Sequence, residues 1–168
     1  MAIRIAINGF GRIGRLAFRI LHSRDGFDVV AINDRIAPDY MAYLLKYDSI
    51  HGAFGEEVSH QEDSLIINGK AIQVSNFSKP DQANWSALNI DIVIEATGLF
   101  TQISQAQGHL SAGAKNVVIS APSEDAPMYV MGVNHLDYQP EQQIISNASC
   151  TTNCLAPIAK LLEDNWGV

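Results

Sequence analysis

The feature that most constrains the fold is a glycine-rich turn between an apolar strand and an amphipathic helix near the amino terminus. The strand covers residues 3–7, the turn carries Gly9, Gly11 and Gly14, and the helix has apolar residues at positions 13, 16, 17, 20 and 21. Gly9 permits the tight turn, Gly11 lets the backbone approach a pyrophosphate, and Gly14 lets the helix pack closely on the strand. In this context the pattern predicts a dinucleotide-binding unit, with the pyrophosphate on the helix N-terminus. The alternative is a glycine-rich turn with no ligand.

A second strand, residues 28–33, ends at Asp34, which lies 20 residues after Gly14. An acidic residue at this spacing holds the adenosine ribose in dinucleotide-binding folds. The alternative is that Asp34 caps a turn or a helix. The next residue, Arg35, could approach a 2′-phosphate, but the Asp34 carboxylate would repel one. We therefore expect NAD to be preferred over NADP.

The remaining pattern alternates strands and helices, with one antiparallel insertion marked by Asn68 and Gly69 between two apolar runs. The fold class that it predicts is α/β: a doubly wound, mostly parallel Rossmann-type sheet with an antiparallel hairpin insertion. Trp85 is expected to fill the core. Helices are predicted over residues 39–46, 104–110 and from 150 onwards, and strands over 64–67, 71–74, 91–96, 116–120, 128–131 and 143–146.

Several polar or small residues come directly after these strands, namely Thr97, Gly98, Ser120 and Cys150. Ligands of doubly wound sheets bind outside the carboxyl ends of the strands, so we expect these residues to share a crevice with the glycine turn. The alternatives are a plain strand-exit turn for Thr97 and Gly98, and a cap or loop hydroxyl for Ser120. Glu95, the last residue of its strand, is interpreted as paired with a neighbour in the sheet.

Cys150 opens the last predicted helix. Unpaired backbone N–H groups at a helix N-terminus favour a thiolate, which is the nucleophilic form, so Cys150 is a candidate for covalent catalysis. The alternative is a buried cysteine that behaves as a small hydrophobe. Cys154, one helical turn further, is interpreted as such a buried side chain. Ser149 and Thr151 flank Cys150, and both could cap the helix.

Composition narrows the function classes. The chain is 47% hydrophobic and 17% charged, which is typical of a folded domain that is neither disordered nor membrane-spanning. A net charge of −7 disfavours nucleic acid as a partner, and Arg12, Arg15 and Arg19 are interpreted as a solvated or subunit-facing stripe. The five histidines are scattered, so no metal site is predicted. No signal segment precedes residue 3, and we expect a cytoplasmic protein.

These motifs together resemble the glyceraldehyde-3-phosphate dehydrogenase family over essentially the whole chain. The segments that carry the resemblance are 8–15 (NGFGRIGR), 31–34, 44–52, 95–98, 119–123 and 149–154 (SCTTNC). The resemblance implies an NAD-binding domain over residues 1–150. It also implies that residues 151–168 are the first helix leading into a substrate domain that is absent from this chain.

The resemblance also implies roles for individual residues. The backbone amides of Arg12 and Ile13 would bind the pyrophosphate, Asp34 the adenosine ribose, and Ser120 the nicotinamide end. Ser149 and Thr151 match positions that bind phosphate. Ser78 stands where the family often has arginine, a departure that concerns only the adenine contact.

The reaction implied is the conversion of glyceraldehyde 3-phosphate, NAD and inorganic phosphate to 1,3-bisphosphoglycerate and NADH, in glycolysis and gluconeogenesis. It would proceed through a thioester on Cys150, in a homotetramer. The family's histidine base lies beyond residue 168, so the chain alone is expected to be inactive.

Three other functions remain open at this point. Erythrose-4-phosphate dehydrogenase shares the fold and the cysteine, but its sequences tend to depart around residues 31–34 and 95–98, where this chain keeps the glyceraldehyde-type residues. A stand-alone dinucleotide-binding or sensing module would have no catalysis, and a native reading frame that ended at residue 168 would support it. A semialdehyde dehydrogenase also uses a cysteine, but its usual glycine turn differs from residues 9–11.

Overall fold

The computed structural model describes residues 2–167, which form one eight-stranded sheet and four α-helices. Two single-turn 3₁₀ segments, Pro80–Gln82 and His135–Asp137, lie in the connections. The strands are β1 (Ile3–Asn8), β2 (Phe27–Asn33), β3 (Val58–Gln61), β4 (Ser64–Ile67), β5 (Lys70–Ser75), β6 (Ile92–Glu95), β7 (Asn116–Ile119) and β8 (Ile144–Ser146). The helices are α1 (Arg12–His22), α2 (Pro38–Lys46), α3 (Ile103–Ser111) and α4 (Cys150–Trp166).

The strands lie in the order β3-β4-β5-β2-β1-β6-β7-β8. Each neighbouring pair from β5 to β8 is parallel, whereas β4 runs antiparallel to both β3 and β5. The chain thus builds outwards on one side of β1 and then returns to build on the other side. This arrangement confirms the predicted fold class, and its switch point lies at the carboxyl end of β1, where doubly wound sheets bind ligands.

The antiparallel insertion is the predicted hairpin. Asn68 and Gly69 have φ angles of 50° and 79°, the left-handed values that a two-residue type I′ turn requires. The sheet also contains β3, which was not among the strands predicted from the sequence. Its side chains are mostly polar and exposed, so no alternation of apolar residues marks it as a strand.

Buried apolar side chains form three clusters. The largest joins α1 and α2 to β1, β2, β4 and β5, with Phe18 and Met41 fully buried. A second cluster surrounds Trp85, which is 2% exposed, as predicted. The third lies beneath α3 and includes Val117 and Ile119. Together these clusters hold both helical layers against the sheet.

The strand predicted over residues 128–131 is wrong. Only Met128 pairs, in an isolated parallel bridge with Ser146. The Tyr129 amide still donates to the Ser146 carbonyl at 2.8 Å, but the Val130 amide donates to Oδ1 of Asn134 at 2.8 Å. A side-chain acceptor thus replaces the next ladder bond, and pairing stops there.

The last helix forms as predicted, but none of the residues described in α4 is buried. Leu155, Ile158 and Trp166 are exposed, as are both Cys150 and Cys154. The interpretation of Cys154 as a buried side chain is therefore wrong, because no other described part of the chain covers this helix. No helix within residues 2–167 has the length and apolar character needed to cross a membrane.

The arginine stripe on α1 is also not simply solvated. Arg15 donates from Nη1 to the carbonyl of Phe10 at 3.0 Å. Arg19 donates to the carbonyls of Leu45 at 2.6 Å and Gly52 at 2.9 Å. These two arginines therefore fasten the glycine turn and the end of α2 to α1.

Candidate functional site

A cleft of about 280 Å³ opens at the carboxyl ends of β1, β2 and β6. It lies at the switch point of the sheet, beside the glycine turn. Of the residues predicted for cofactor binding, it brings together Gly9, Gly11, Asp34 and Thr97. The other lining residues are Asn8, Asn33, Arg35, Phe77, Ser78, Ala96, Leu99 and Phe100.

The glycine turn is shaped by close backbone contacts. Gly9 has a φ angle of 96°, and a Cβ atom there would lie 2.7 Å from the Thr97 nitrogen. A Cβ atom on Gly14 would lie 1.9 Å from the carbonyl oxygen of Gly9, so only glycine lets α1 begin this close to the turn. Gly11 faces open space, and a Cβ atom there would meet nothing within 4 Å. The structure thus separates Gly9 and Gly14, whose Cβ positions are blocked by backbone atoms, from Gly11, whose Cβ position is open.

The N-terminus of α1 offers free amide donors. Gly11 is its N-cap residue and supplies no side-chain acceptor to the first turn. The first N–H groups of a helix have no partner within the helix, and a helix end of this kind binds anions. Arg12 and Ile13 occupy the first two positions of α1, and both are exposed. Neither residue lines the cleft, but both directly follow Gly11, which does.

Asp34 stands on the wall opposite Thr97. Its Oδ2 accepts a hydrogen bond from the Phe10 amide at 2.5 Å, and its Oδ1 accepts one from Ile36 at 3.1 Å. The carboxylate therefore ties the end of β2 to the glycine turn while it lines the cleft. It does not cap α2, whose N-cap residue is Ala37.

The end of β6 contributes Thr97, whose backbone amide donates to Oε1 of Glu95 at 2.9 Å. Its hydroxyl contacts the same carboxylate oxygen. Gly98 follows with a φ angle of 72°, outside the set of lining residues. Glu95 is 1% exposed and contacts Asn8 on the neighbouring strand, as its predicted pairing requires.

Ser120 and the cysteine segment lie further along the same edge of the sheet, and they do not line the cleft. Ser120 follows β7, and its amide donates to the Glu95 carbonyl at 2.9 Å. Ser149 follows β8 and caps α4 by accepting a hydrogen bond from the Thr152 amide at 2.9 Å. Its hydroxyl also lies 2.9 Å from that of Thr151. Cys150 is the first residue of α4, and it is exposed.

Asn8 and Asn33 also line the cleft, although neither was predicted as a site residue from the sequence. They are the last residues of β1 and β2, and they are only 3% and 7% exposed. Their signal in the sequence is an asparagine that ends each of two apolar strands, since a buried amide needs a hydrogen-bond partner. The carbonyl of Phe77 accepts from Asn33 at 3.0 Å, which is how the loop after β5 joins the cleft.

Known proteins share the sequence that builds this cleft. Residues 3–103 match the model of the family described as the glyceraldehyde 3-phosphate dehydrogenase, NAD binding domain. Curated relatives named glyceraldehyde-3-phosphate dehydrogenase include one from Ogataea parapolymorpha, 55% identical over all of this chain and 50% of its own length. Glyceraldehyde-3-phosphate dehydrogenase 1 of Candida glabrata is 57% identical over 99% of this chain and 50% of its own.

The cytosolic glyceraldehyde-3-phosphate dehydrogenase of Trypanosoma brucei brucei is 53% identical over the whole chain and 51% of its own length. The chain thus spans about half the length of the curated relatives that it matches. The match begins at β1 and runs through the glycine turn, Asp34 and Thr97. The resemblance seen in the sequence is confirmed, and the chain belongs to the family of glyceraldehyde 3-phosphate dehydrogenase NAD-binding domains.

Proposed function

We propose that this chain is the cofactor-binding half of a phosphorylating glyceraldehyde-3-phosphate dehydrogenase. The observation that carries the proposal is the cleft, which is lined by Gly11 and the Asp34 carboxylate. Gly11 leaves room for a ligand, and the helix that begins after it has no side-chain cap for its first amides. A dinucleotide needs this combination, because its pyrophosphate is an anion and its ribose presents hydroxyl donors. The residues present therefore fit NAD.

In the proposed arrangement, the backbone amides of Arg12 and Ile13 bind the pyrophosphate beside the open Cα of Gly11. Gly9 and Gly14 hold the turn against β6 and α1. Asp34 accepts hydrogen bonds from the adenosine ribose. Thr97 and Gly98 border the cofactor from β6, and Ser120 contacts its nicotinamide end.

Bound NAD supplies the hydride acceptor for oxidation of the aldehyde. The Cys150 thiolate attacks the aldehyde carbon of glyceraldehyde 3-phosphate, and the thiohemiacetal that forms keeps the carbon bonded to sulfur. After oxidation the acyl group remains on Cys150 as a thioester. Inorganic phosphate, held near Ser149 and Thr151, attacks this thioester, releases the thiolate and leaves as the acyl phosphate.

The domain division is part of the same proposal. Residues 1–150 carry the NAD site, and residues 151–168 lead towards a substrate domain. The exposure of the apolar residues of α4 supports a covering partner for that helix.

The protein is proposed to assemble as a homotetramer. Three exposed tyrosine rings along α2 and its C-cap support a subunit contact: Tyr40 stacks on Tyr43, and Tyr43 is tilted against Tyr47. A cytoplasmic location is supported by the relative that is named cytosolic.

Replacing Asp34 with Ala is expected to weaken NAD binding more than NADP binding. The carboxylate accepts a hydrogen bond from the ribose of NAD but repels the 2′-phosphate of NADP. Its removal therefore takes a hydrogen bond from NAD and a repulsion from NADP. Titration calorimetry of the unmodified chain and of Asp34→Ala with NAD and with NADP measures the four affinities. We expect NAD affinity to fall about tenfold. Equal or tighter binding of NADP by the unmodified chain would contradict the proposed preference.

A chimera tests the activity. Residues 1–168 replace the matching half of the cytosolic Trypanosoma brucei brucei enzyme, which is 53% identical over this region. We expect the chimera to form NADH from glyceraldehyde 3-phosphate, NAD and phosphate, and the chain alone to form none. Erythrose 4-phosphate serves as the competing substrate. A soluble, NAD-binding chimera that turned over only erythrose 4-phosphate would assign the chain to the sister enzyme instead.

A further inference from the structure

A chain of hydrogen-bonded side chains runs beneath the floor of the cleft. We name it the buried polar chain, and each of its members is at most 7% exposed. Successive contacts are 2.7 Å, 2.5 Å, 2.9 Å and 3.1 Å long. Its members, in order, are Asn33, Asn8, Glu95, His109 and Trp85. Only the first two line the cleft, so three buried polar groups lie behind it with no role in the proposed reaction.

At the Trp85 end of the buried polar chain, the hydrogen bonds determine which ring nitrogen of His109 carries the proton. The indole of Trp85 can only donate, and it donates to Nδ1 of His109 at 3.1 Å. Nδ1 is therefore an acceptor, and Nε2 carries the proton and donates to Oε2 of Glu95 at 2.9 Å. The imidazole is therefore neutral and presents a donor to Glu95.

At the Asn33 end of the buried polar chain, the hydrogen bonds run in the opposite direction. The Phe77 amide donates to Oδ1 of Asn33 at 2.7 Å, which leaves the Asn33 amide to donate to Asn8 at 2.7 Å. Asn8 in turn donates to Oε2 of Glu95 at 2.5 Å. Donors therefore point at Glu95 from both ends of the buried polar chain, which is the pattern that a carboxylate requires.

The other oxygen of Glu95 faces the opposite wall of the cleft. Oε1 accepts from the Thr97 amide at 2.9 Å and also contacts the Thr97 hydroxyl. Thr97 and Phe77 lie on two different walls, one after β6 and one after β5. A single buried carboxylate thus joins both walls through hydrogen bonds without reaching the cleft itself.

We propose that Glu95 is a positioning residue for the dinucleotide: its carboxylate sets the places of Thr97 and Asn8, and through Asn33 that of the loop at Phe77. The inference rests on the proposed NAD site and extends it to a residue that touches no ligand. Low local dielectric strengthens hydrogen bonds to a buried carboxylate and makes an unsatisfied donor costly, so both walls depend on this one group.

The first test replaces Glu95 with Gln, which has the same shape. Whichever way the new side-chain amide turns, its nitrogen faces a donor: Asn8 and His109 at one position, or the Thr97 backbone amide at the other. His109 cannot change its tautomer without opposing Trp85. We expect NAD affinity, measured by calorimetry on the 168-residue chain, to fall about 10- to 100-fold.

The matched control is Asp91→Asn, because Asp91 lies just before the start of β6, the strand that Glu95 ends. A hydrogen bond from Lys115 and one from the Arg4 amide hold the pKa of Asp91 below its usual range. Loss of the Asp91 carboxylate is expected to lower the stability of the fold but not its NAD affinity.

The second test reads the buried polar chain directly by NMR. The chain has two tryptophans, and Trp166→Phe identifies the indole N–H signal of Trp85. Nitrogen-15 spectra of His109 are expected to show the neutral form with the proton on Nε2. At NAD concentrations that saturate each protein, NAD is expected to shift the Trp85 signal in the unmodified chain and to leave it unmoved in Glu95→Gln. A merely structural role for Glu95 would not give this difference, because Trp85 does not line the cleft.

A third pair of variants decides the matter if Glu95→Gln does not fold. His109→Gln keeps a donor towards Glu95 and an acceptor towards Trp85, whereas His109→Leu keeps neither. We expect His109→Gln to retain NAD affinity within about threefold and His109→Leu to lose about tenfold. Failure of the unmodified chain to bind NAD would overturn the proposed function, and this inference with it. Normal NAD binding by folded Glu95→Gln, or by His109→Leu, would overturn the inference alone.

Discussion

Replacing Gly14 with Ala is expected to destabilise the chain by about 3 kcal/mol or more, as measured by urea unfolding. A methyl group there would lie 1.9 Å from the Gly9 carbonyl oxygen and 3.2 Å from a methyl group of Ile7. Neither neighbour can give way cheaply, because one is backbone and the other is buried in β1. Helix α1 would have to move away from the sheet and open the largest apolar cluster.

Gly11→Ala is the matched control, since it lies in the same turn. Its φ angle is −69°, and no atom lies within 4 Å of the added methyl group. We expect its stability to stay within about 0.5 kcal/mol of the parent. NAD affinity should fall instead, because the methyl group occupies the place where the pyrophosphate approaches the backbone. Equal loss of stability in both variants would contradict the division of roles between the two glycines.

Replacing Cys150 with Ser in the chimera is expected to lower kcat on the order of a thousandfold or more, with NAD affinity unchanged. A thiolate is a strong nucleophile at neutral pH, whereas a serine hydroxyl is far less acidic than a thiol and stays protonated. The loss should appear in turnover and not in cofactor binding, since Cys150 does not line the cleft.

Cys154→Ser supplies the control for this experiment. Both cysteines are exposed on α4, one helical turn apart, so the two substitutions make the same chemical change on one helix. Only Cys150 lies in the first turn, where the backbone amides are free. We expect Cys154→Ser to retain most of the turnover. A comparable loss in both variants would show that the substitution disturbs the helix and would remove Cys150 from its proposed role.

Sequence patterns predicted the parts of this fold that local physics determines. The glycine turn could be recognised because Gly9 and Gly14 meet backbone atoms at distances that no side chain tolerates. The hairpin could be recognised because Asn68 and Gly69 readily adopt left-handed backbone angles. Both features depend on a few neighbouring residues, and neither requires knowledge of distant contacts.

The features that the sequence did not reveal depend on partners far along the chain. The short strand β3 forms because β4 offers it a ladder, not because its own residues favour a strand. Cys154 is exposed because no described element covers α4, which no local pattern reports. The link from Phe77 to Glu95 spans three strands, and only the folded sheet brings its asparagines together.

The two outermost strands of the sheet bear on how the molecule avoids aggregation. A long, flat outer strand leaves a row of free backbone groups to which a strand of another molecule can add. Here β3 has four residues, three of them exposed and polar, and β8 has three residues. Ser146 on β8 already exchanges backbone hydrogen bonds of 2.8 Å with Pro127 and Tyr129. Neither edge of the sheet therefore offers a template for growth into cross-β assemblies, although the centre of the sheet consists of apolar strands.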